Sequence, residues 1–431
     1  MTKTVTSELS AVDAQLLSTI LARRKVRSVY QPIVDLDSRA VVGYEALARG
    51  PAGTSMERPD SLFTTARSCG RLADLDEACR LSAIAGAERA GLARPWTLFV
   101  NTEPETAQEA FQPSASYPGA VTSANGQELP IVMELTERAL TANPAELLRL
   151  VTRIRSRGWG IALDDVGADR NSMALLPLLR PDVIKLDLRL IQRQPSAEVA
   201  EIFSAVNAEA ERSGTAILAE GIETEAHLAI ARGLGASLGQ GWLLGRPGPL
   251  PEPVGPFSGS QVTIVDCGDQ FLSTTPFAAG AAMRPPRIGQ KSLLVEISKQ
   301  LERQAVRAGQ TSVILTGLQD VKFFTPGTRR RYTTMADTAA FVGVIGRGMA
   351  ANPAPGVRGG ALDEADPLGK EWDVSVIGPH YAATLLARDL GDTVPDAERR
   401  FEFIFSHDRE LAIAVASFLI SRIHPSPSFD E

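Results

Sequence analysis

Acidic and amide side chains recur in this chain at one kind of place, the end of a short β-like run. Glu45 closes one such run, Asn101 the next, Glu134 a third and Asp164-Asp165 a fourth. Lys185 and Asp187 end another, Glu220 follows, and Gln240 opens the last candidate strand. Taken singly, a strand-end acid caps a following helix or faces water as readily as it does chemistry. Six acids at successive strand ends are poorly explained that way. Two like charges about 4 Å apart repel by about 4 kcal/mol at an effective dielectric near 20, so a ring of acids protonates in part or gathers cations. Hard oxygen donors without a cysteine pair or a histidine among them favour Mg²⁺ or Mn²⁺ over zinc. The adjacent pair Asp164-Asp165 is suited to reach two ions, and two ions are the usual device for in-line attack on a phosphodiester. Residue types and spacing thus lead to a metal-dependent phosphoryl hydrolase of unspecified substrate.

The elements that must carry these residues alternate from about residue 28 to residue 246. Strand candidates are Val29–Asp35, Val41–Glu45, Leu98–Asn101, Ile131–Glu134, Gly160–Asp164, Val183–Asp187, Ala216–Glu220 and a segment around Gln240–Leu244. Amphipathic helices such as Asp74–Arg89, Pro144–Arg157, Ala197–Ser213 and Thr224–Leu234 lie between them. Eight strands with intervening helices suit an α/β fold of the (β/α)8 barrel type, in which catalytic side chains share one face. A doubly wound sheet is the competing architecture on pattern alone. The reading divides the chain into an N-terminal segment 1–20, a barrel 21–250, a Pro/Gly-rich connection 251–289 and a smaller αβ domain 290–425. A short strand at Val262–Asp266 is allowed within the connection. In the second domain the pattern predicts helices Ser292–Ala305 and Glu410–Ile423 and strands Ser312–Thr316, Phe341–Ile345, Val374–Ile377 and Phe401–Phe405.

Composition narrows the class. The chain has 431 residues, 44% of them apolar, and a formal charge of −7. Two domains are expected at that length, and the charge argues against duplex DNA as partner. No run approaches the roughly 18 apolar residues of a membrane span, and the N-terminus reads as lacking a secretory signal. Cys69, Cys79 and Cys267 are too few and scattered for a disulfide framework. A reduced, cytoplasmic setting is the expectation.

Glu45-Ala46-Leu47-Ala48-Arg49 resembles the signature of EAL-domain cyclic diguanylate phosphodiesterases. Tyr30-Gln31-Pro32-Ile33, Asn101 after Phe99-Val100, Glu134-Leu135-Thr136-Glu137 and Lys185-Leu186-Asp187 agree with that family. So do Glu220-Gly221-Ile222-Glu223, Gln240-Gly241 and Gly245-Arg246-Pro247. The resemblance implies a modified TIM barrel with one strand reversed, acting on cyclic di-GMP with two Mg²⁺ or Mn²⁺ ions to give linear pGpG. It implies that Glu45, Asn101, Glu134 and Asp164 hold one metal, and Asp164, Asp165 and Glu220 the other. Glu220, Lys185 and Asp165 are the implied catalytic groups, with Lys185 orienting the attacking water. Gln31, Leu47 and Arg49 are implied substrate contacts, and a dianionic dinucleotide entering an acidic site needs such a fixed cation. Glu137, Asp187, Glu223 and Gln240 are implied to support the ligands, and a homodimer is expected.

One stretch departs from the family, whose loop after the paired aspartates usually reads Asp-Asp-Phe-Gly-Thr-Gly-Tyr-Ser-Ser. Here Asp164-Asp165-Val166-Gly167-Ala168-Asp169-Arg170-Asn171-Ser172 stands in its place. The alternative is therefore a weak or inactive receptor that binds cyclic di-GMP without cutting it. Beyond residue 290, Phe324-Thr325-Pro326-Gly327-Thr328-Arg329-Arg330-Arg331-Tyr332 and Trp372-Asp373-Val374-Ser375-Val376-Ile377-Gly378-Pro379 resemble the DICT sensory domain. That resemblance implies control of the barrel by a signal the sequence does not name. Arg329–Arg331 read as a solvated helix start, His407 as structural, and Trp159 and Trp242 as core. His227, His380 and His424 lack ligand spacing.

Overall fold

The computed structural model describes residues 11–103, 106, 127–136, 143–168, 173–174, 176–192, 196–252, 254–265 and 272–424. Eight strands close into a barrel in sequence order: β1 (Arg27–Asp35), β2 (Val41–Arg49), β3 (Thr97–Thr102), β4 (Ile131–Thr136), β5 (Gly160–Val166), β6 (Val183–Leu186), β7 (Ala216–Ala219) and β8 (Leu238–Gly239). Closure rules out the doubly wound sheet. β1 runs antiparallel to both neighbours, β2 and β8, while the other adjacent pairs are parallel. Two strand expectations need correction. β2 continues to Arg49, so Glu45 lies mid-strand, and Gln240 follows β8 rather than opening it.

Each strand contributes one buried apolar residue to a layer inside the barrel: Ile33, Val42, Phe99, Val132, Ala162, Val183, Leu218 and Leu238. Successive side chains on a strand alternate faces, so a residue two positions on shares the inward direction. Asn101 is two beyond Phe99, Glu134 two beyond Val132, and Asp164 two beyond Ala162. Lys185, Glu220 and Gln240 stand in the same relation to Val183, Leu218 and Leu238. On the reversed β1, Gln31 is two before Ile33. The apolar layer is thus a floor, and the polar residues stand on it. β2 is the exception, with Glu45 three beyond Val42. The pairing of β1 with β2 shifts there and passes over Val42, which changes the parity.

The tail of residues 254–265 forms no strand. Val262 instead packs beneath the floor, and the Val265 N–H donates to Asp182 at 2.7 Å. At the other end of the barrel domain the Ala11–Ala22 helix crosses the expected boundary at residue 20, and its Leu17 and Ile20 pack with Met56, Leu62 and Leu75.

The second sheet is mixed and seven-stranded: β9 (Arg287–Gln290), β10 (Val313–Asp320), β11 (Phe341–Arg347), β12 (Arg358–Leu362), β13 (Glu371–Ile377), β14 (Ala382–Asp389) and β15 (Arg400–Ser406), in the order β12-β11-β10-β13-β14-β15-β9. Part of the expected connection is therefore structured, because the Pro276–Met283 helix and β9 belong to this sheet domain. Ile314, Val374 and Val376 share one cluster with Leu294 and Leu301 of the Lys291–Ala308 helix and Tyr332 of the Pro326–Ala336 helix. Val313, Leu315 and Ile377 face the other way, toward Phe277 and the Arg409–Ile420 helix. That last helix is buried on both sides, since it also packs on the Pro144–Arg155 and Leu176–Leu179 helices of the barrel. No helix among the described residues is long and apolar enough to cross a membrane.

Candidate metal centre

The polar residues standing on the barrel floor converge on Lys185. Its ammonium lies 2.9 Å from Glu134 Oε1, 2.9 Å from Glu220 Oε1, 3.1 Å from Asp164 Oδ1 and 3.6 Å from Glu45 Oε1. Burial works to lower this ammonium's pKa, but Asp164, Glu134, Glu220 and Glu45 outweigh it and hold it well above the usual lysine range. Lys185 is therefore a charged donor. Burial pushes Glu134 well above the ordinary carboxylate range, and the neighbouring Glu45 adds to it. Burial pushes Glu220 up to about 8 against the pull of Lys185. Glu45 is opposed by burial yet held low, because Lys185, Gln240 and Asn101 all favour its anion.

Asp164 and Asp165 are consecutive, and on a regular strand they would face opposite sides. β5 breaks its register against β6 between Leu163 and Val166, a bulge that places one extra residue there. Asp165 takes φ +54°, and its N–H donates to Asp164 Oδ1 at 3.0 Å. The outcome is that single oxygens of Asp164, Asp165 and Glu220 lie within 4.8 Å of one another. Burial raises Asp165, with Asp164 and Asp187 adding to the effect.

Neighbouring amides hold Glu45 from both sides. Asn101 Nδ2 donates to Glu45 Oε1 at 3.0 Å, and Gln240 Nε2 donates to Glu45 Oε2 at 2.5 Å and to Gln31 Oε1 at 3.0 Å. Among the described residues both oxygens of Glu134 and Gln240 Oε1 are buried without a hydrogen-bond partner, the Lys185 ammonium standing against Glu134 as an ion pair. Buried oxygens of that kind normally find a partner. Four carboxylates face one ammonium, Asp165 stands beside two of them, and the donors are all hard oxygens. Such a set fits divalent cations of the Mg²⁺ or Mn²⁺ class.

A cavity of about 250 Å³ opens beside Glu45 and Asn101 and is lined also by Leu47 and Arg49. Asp187 accepts from the Arg189 N–H and guanidinium at 2.7, 2.8 and 3.1 Å, so it caps the turn behind the bulge. Glu223 is exposed, and its N–H donates to His227 Nδ1. Glu137 and residues 169–172 of the altered loop lie outside the described residues. Trp159 is core as expected, but Trp242 is 55% exposed, with the Arg246 guanidinium 4.3 Å from its ring centre.

Sequence reasoning missed Asp76. This buried acid lines the cavity, pairs with Arg80 one helical turn on, and accepts from Thr106 Oγ1 at 2.7 Å and the Glu103 N–H at 3.2 Å. It thereby ties down the turn that follows Asn101. The signal was present as an Asp and an Arg four apart on the inner face of an amphipathic helix.

Known proteins resemble the chain in two stretches. The family described as EAL domain matches residues 14–247, and the family described as sensory domain in diguanylate cyclases and two-component system matches residues 273–390. The chain is 31% identical over 229 residues to the cyclic di-GMP phosphodiesterase RocR of Pseudomonas aeruginosa, covering 52% of this chain and 57% of that protein. It is 32% identical over 231 residues to the cyclic di-GMP phosphodiesterase NbdA of the same organism, covering 51% and 29%. Against the solved structure of Klebsiella pneumoniae BlrP1 in a manganese and cyclic di-GMP complex it shows 24% identity and a TM-score of 0.44, covering 52% of this chain and 56% of that one. The chain thus spans about half or less of the length of the curated relatives it matches.

Proposed function

Because the chain belongs to the EAL-domain family, we propose that it hydrolyses one phosphodiester bond of cyclic di-GMP, giving linear pGpG, with two ions of Mg²⁺ or Mn²⁺. The observation that carries this reading is the convergence of Glu45, Glu134, Asp164 and Glu220 around Lys185, with Asp165 beside Asp164 and Glu220 and the buried oxygens of Glu134 unbonded among the described residues. In the proposed assignment Glu45, Asn101, Glu134 and Asp164 hold one ion, and Asp164, Asp165 and Glu220 the other. Ions bound there supply Lewis acidity toward a phosphoryl oxygen and acidify water. The chain's own residues do the positioning. Gln240 and Asn101 fix the Glu45 carboxylate, and Asp187 and Arg189 hold the turn behind Asp165. Lys185 is a donor, so its role is to orient the attacking water and balance charge, not to remove a proton. Arg49, on the cavity wall with Leu47, meets the phosphate, and Gln31 holds the rim through its bond to Gly245 O at 3.0 Å.

Purified protein incubated with cyclic di-GMP and Mg²⁺ or Mn²⁺ is expected to form pGpG by chromatography. Glu45→Ala, Glu220→Ala or a chelator should abolish the conversion. Intact substrate under all metal conditions would defeat the proposal. The altered loop, with Val166 and Ala168 at its start, favours a second reading, a receptor that binds without turnover. Calorimetry giving tight binding and no product would select it. Control by the C-terminal domain and homodimer formation belong to the same proposal, and sedimentation tests the latter.

A further inference from the structure

A cavity of about 380 Å³ lies in the second domain, between the Lys291–Ala308 helix, the Pro326–Ala336 helix and the sheet face they cover. We propose that it is a ligand site, and that it takes a small planar monoanion of the aromatic carboxylate class. Its size falls within the range of small-molecule sites, whose walls are mostly apolar with a few placed polar groups. Trp372 and Phe401 meet edge to face at 6.0 Å on the sheet side, and Phe323 lies at the rim with Lys291 Nζ 4.8 Å from its ring centre. Aromatic walls of this kind receive a flat ring.

The hydroxyls on the wall are donors with capacity to spare. Ser298 is 6% exposed and has no hydrogen-bond partner among the described residues, yet its side chain lines the cavity. Its hydroxyl is thus available to an occupant of the cavity. Thr316 Oγ1 and Tyr332 OH are 2.7 Å apart and both line the cavity. Two hydroxyls carry two protons, and their mutual bond uses one, so one remains to donate to an occupant.

Charge points the same way. Lys291, Lys299 and Arg331 line the cavity against Glu302 and Asp396, an excess of one positive charge. Lys291 is bound to Asp396 at 2.6 and 2.7 Å, and Arg331 to Glu302 at 2.8 Å. Among the described residues Lys299 pairs with the exposed Glu296, a contact of the weak surface kind. Among the described residues of the wall it is therefore the cation held least tightly, and it can exchange Glu296 for an incoming carboxylate.

Calorimetry on the full chain with 1-naphthoate tests this, with neutral 1-naphthalenemethanol as the control. Saturable binding of naphthoate is expected, with the alcohol weaker by about tenfold or more. Ser298→Phe fills the cavity and should remove naphthoate binding while circular dichroism and the melting temperature stay near the parent's. Lys299→Glu keeps the cavity open. It should weaken naphthoate by about tenfold or more and leave the alcohol unchanged, which also shows that the domain is folded. No saturable binding, equal affinity for acid and alcohol, or naphthoate affinity untouched by both substitutions would overturn the assignment. None of these readouts depends on turnover of cyclic di-GMP.

Discussion

Lys185 stands where Glu45, Glu134, Asp164 and Glu220 would otherwise repel one another. A single ammonium cannot neutralise them all, and burial, with the neighbouring acids adding to it, raises Glu134 and Glu220. Added cations relieve the same repulsion. Lys185→Met therefore has two expected effects. Turnover at saturating Mn²⁺ should fall by about 10²–10³-fold, the scale of a lost preorganised donor. The melting temperature should rise more on adding Mn²⁺ than it does in the parent, because the carboxylates have lost their internal counter-charge. Calorimetric melting with and without metal checks the second effect, and an equal rise in both proteins would count against charge balance as the role of Lys185. Asp76 acts one layer further out, through its grip on the turn after Asn101.

Among the elements, β5 carries most of the geometry, because its bulge sends two consecutive aspartates to one side. Gly167 ends that bulge at φ +100°, and a Cβ there would lie 2.6 Å from Leu190 Cδ1. Gly167→Ala is expected to cost about 1–3 kcal/mol in denaturant unfolding and to lower turnover by displacing Asp165. Unaltered stability would show that the turn tolerates a side chain. β13 serves both faces of its sheet, with Trp372 in the cavity wall and Asp373 beneath the Arg409–Ile420 helix. Asp373 is fully buried, and neither carboxylate oxygen has a hydrogen-bond partner among the described residues. Burial, with Glu371 beside it, raises its pKa well above the ordinary range. The folded chain thus keeps a proton that the unfolded chain releases, so this group favours folding at low pH and loses that contribution as pH rises past the unfolded value. Asp373→Asn should accordingly raise the melting temperature more at about pH 8 than at about pH 5. A difference independent of pH would mean that the charge is not what matters.

In the whole molecule, the Arg409–Ile420 helix is shared by two domains. It packs on barrel helices that follow β4 and β5, the strands bearing Glu134 and Asp164-Asp165. Arg149 donates to Ser421 O at 3.3 Å, Arg212 to Pro379 O at 2.9 Å, and Arg180 pairs with Glu410. The proposed sensory cavity lies on the opposite face of the sheet, so a ligand there would act on the barrel through the sheet and this helix. Ile413 is buried and lines the interdomain cleft with Arg180 and Glu209. Ile413→Asp would bury a charge in that contact, and the domains are expected to separate. Small-angle scattering should then show a larger radius of gyration, and turnover should depart from the parent's. Turnover that stayed unchanged while the domains had come apart would rule out gating by this contact.

Much of the site was legible because a strand's pleat is local. Phe99 and Asn101, Val132 and Glu134, and Val183 and Lys185 each set an apolar floor residue two positions before a polar one, and a period of two needs no knowledge of the rest of the chain. The same locality let the linear motifs place the chain in its family. What no local rule contains is contact between distant segments. The skipped residue beside Glu45, the backbone turn at Asp165 and the packing of Lys185 among four acids arise only when the barrel closes. Exposure of Trp242, the edge position of β9 and the double burial of the Arg409–Ile420 helix likewise follow from which surfaces meet. Periodicity proposes an inward face for each element, and only packing decides what stands opposite it.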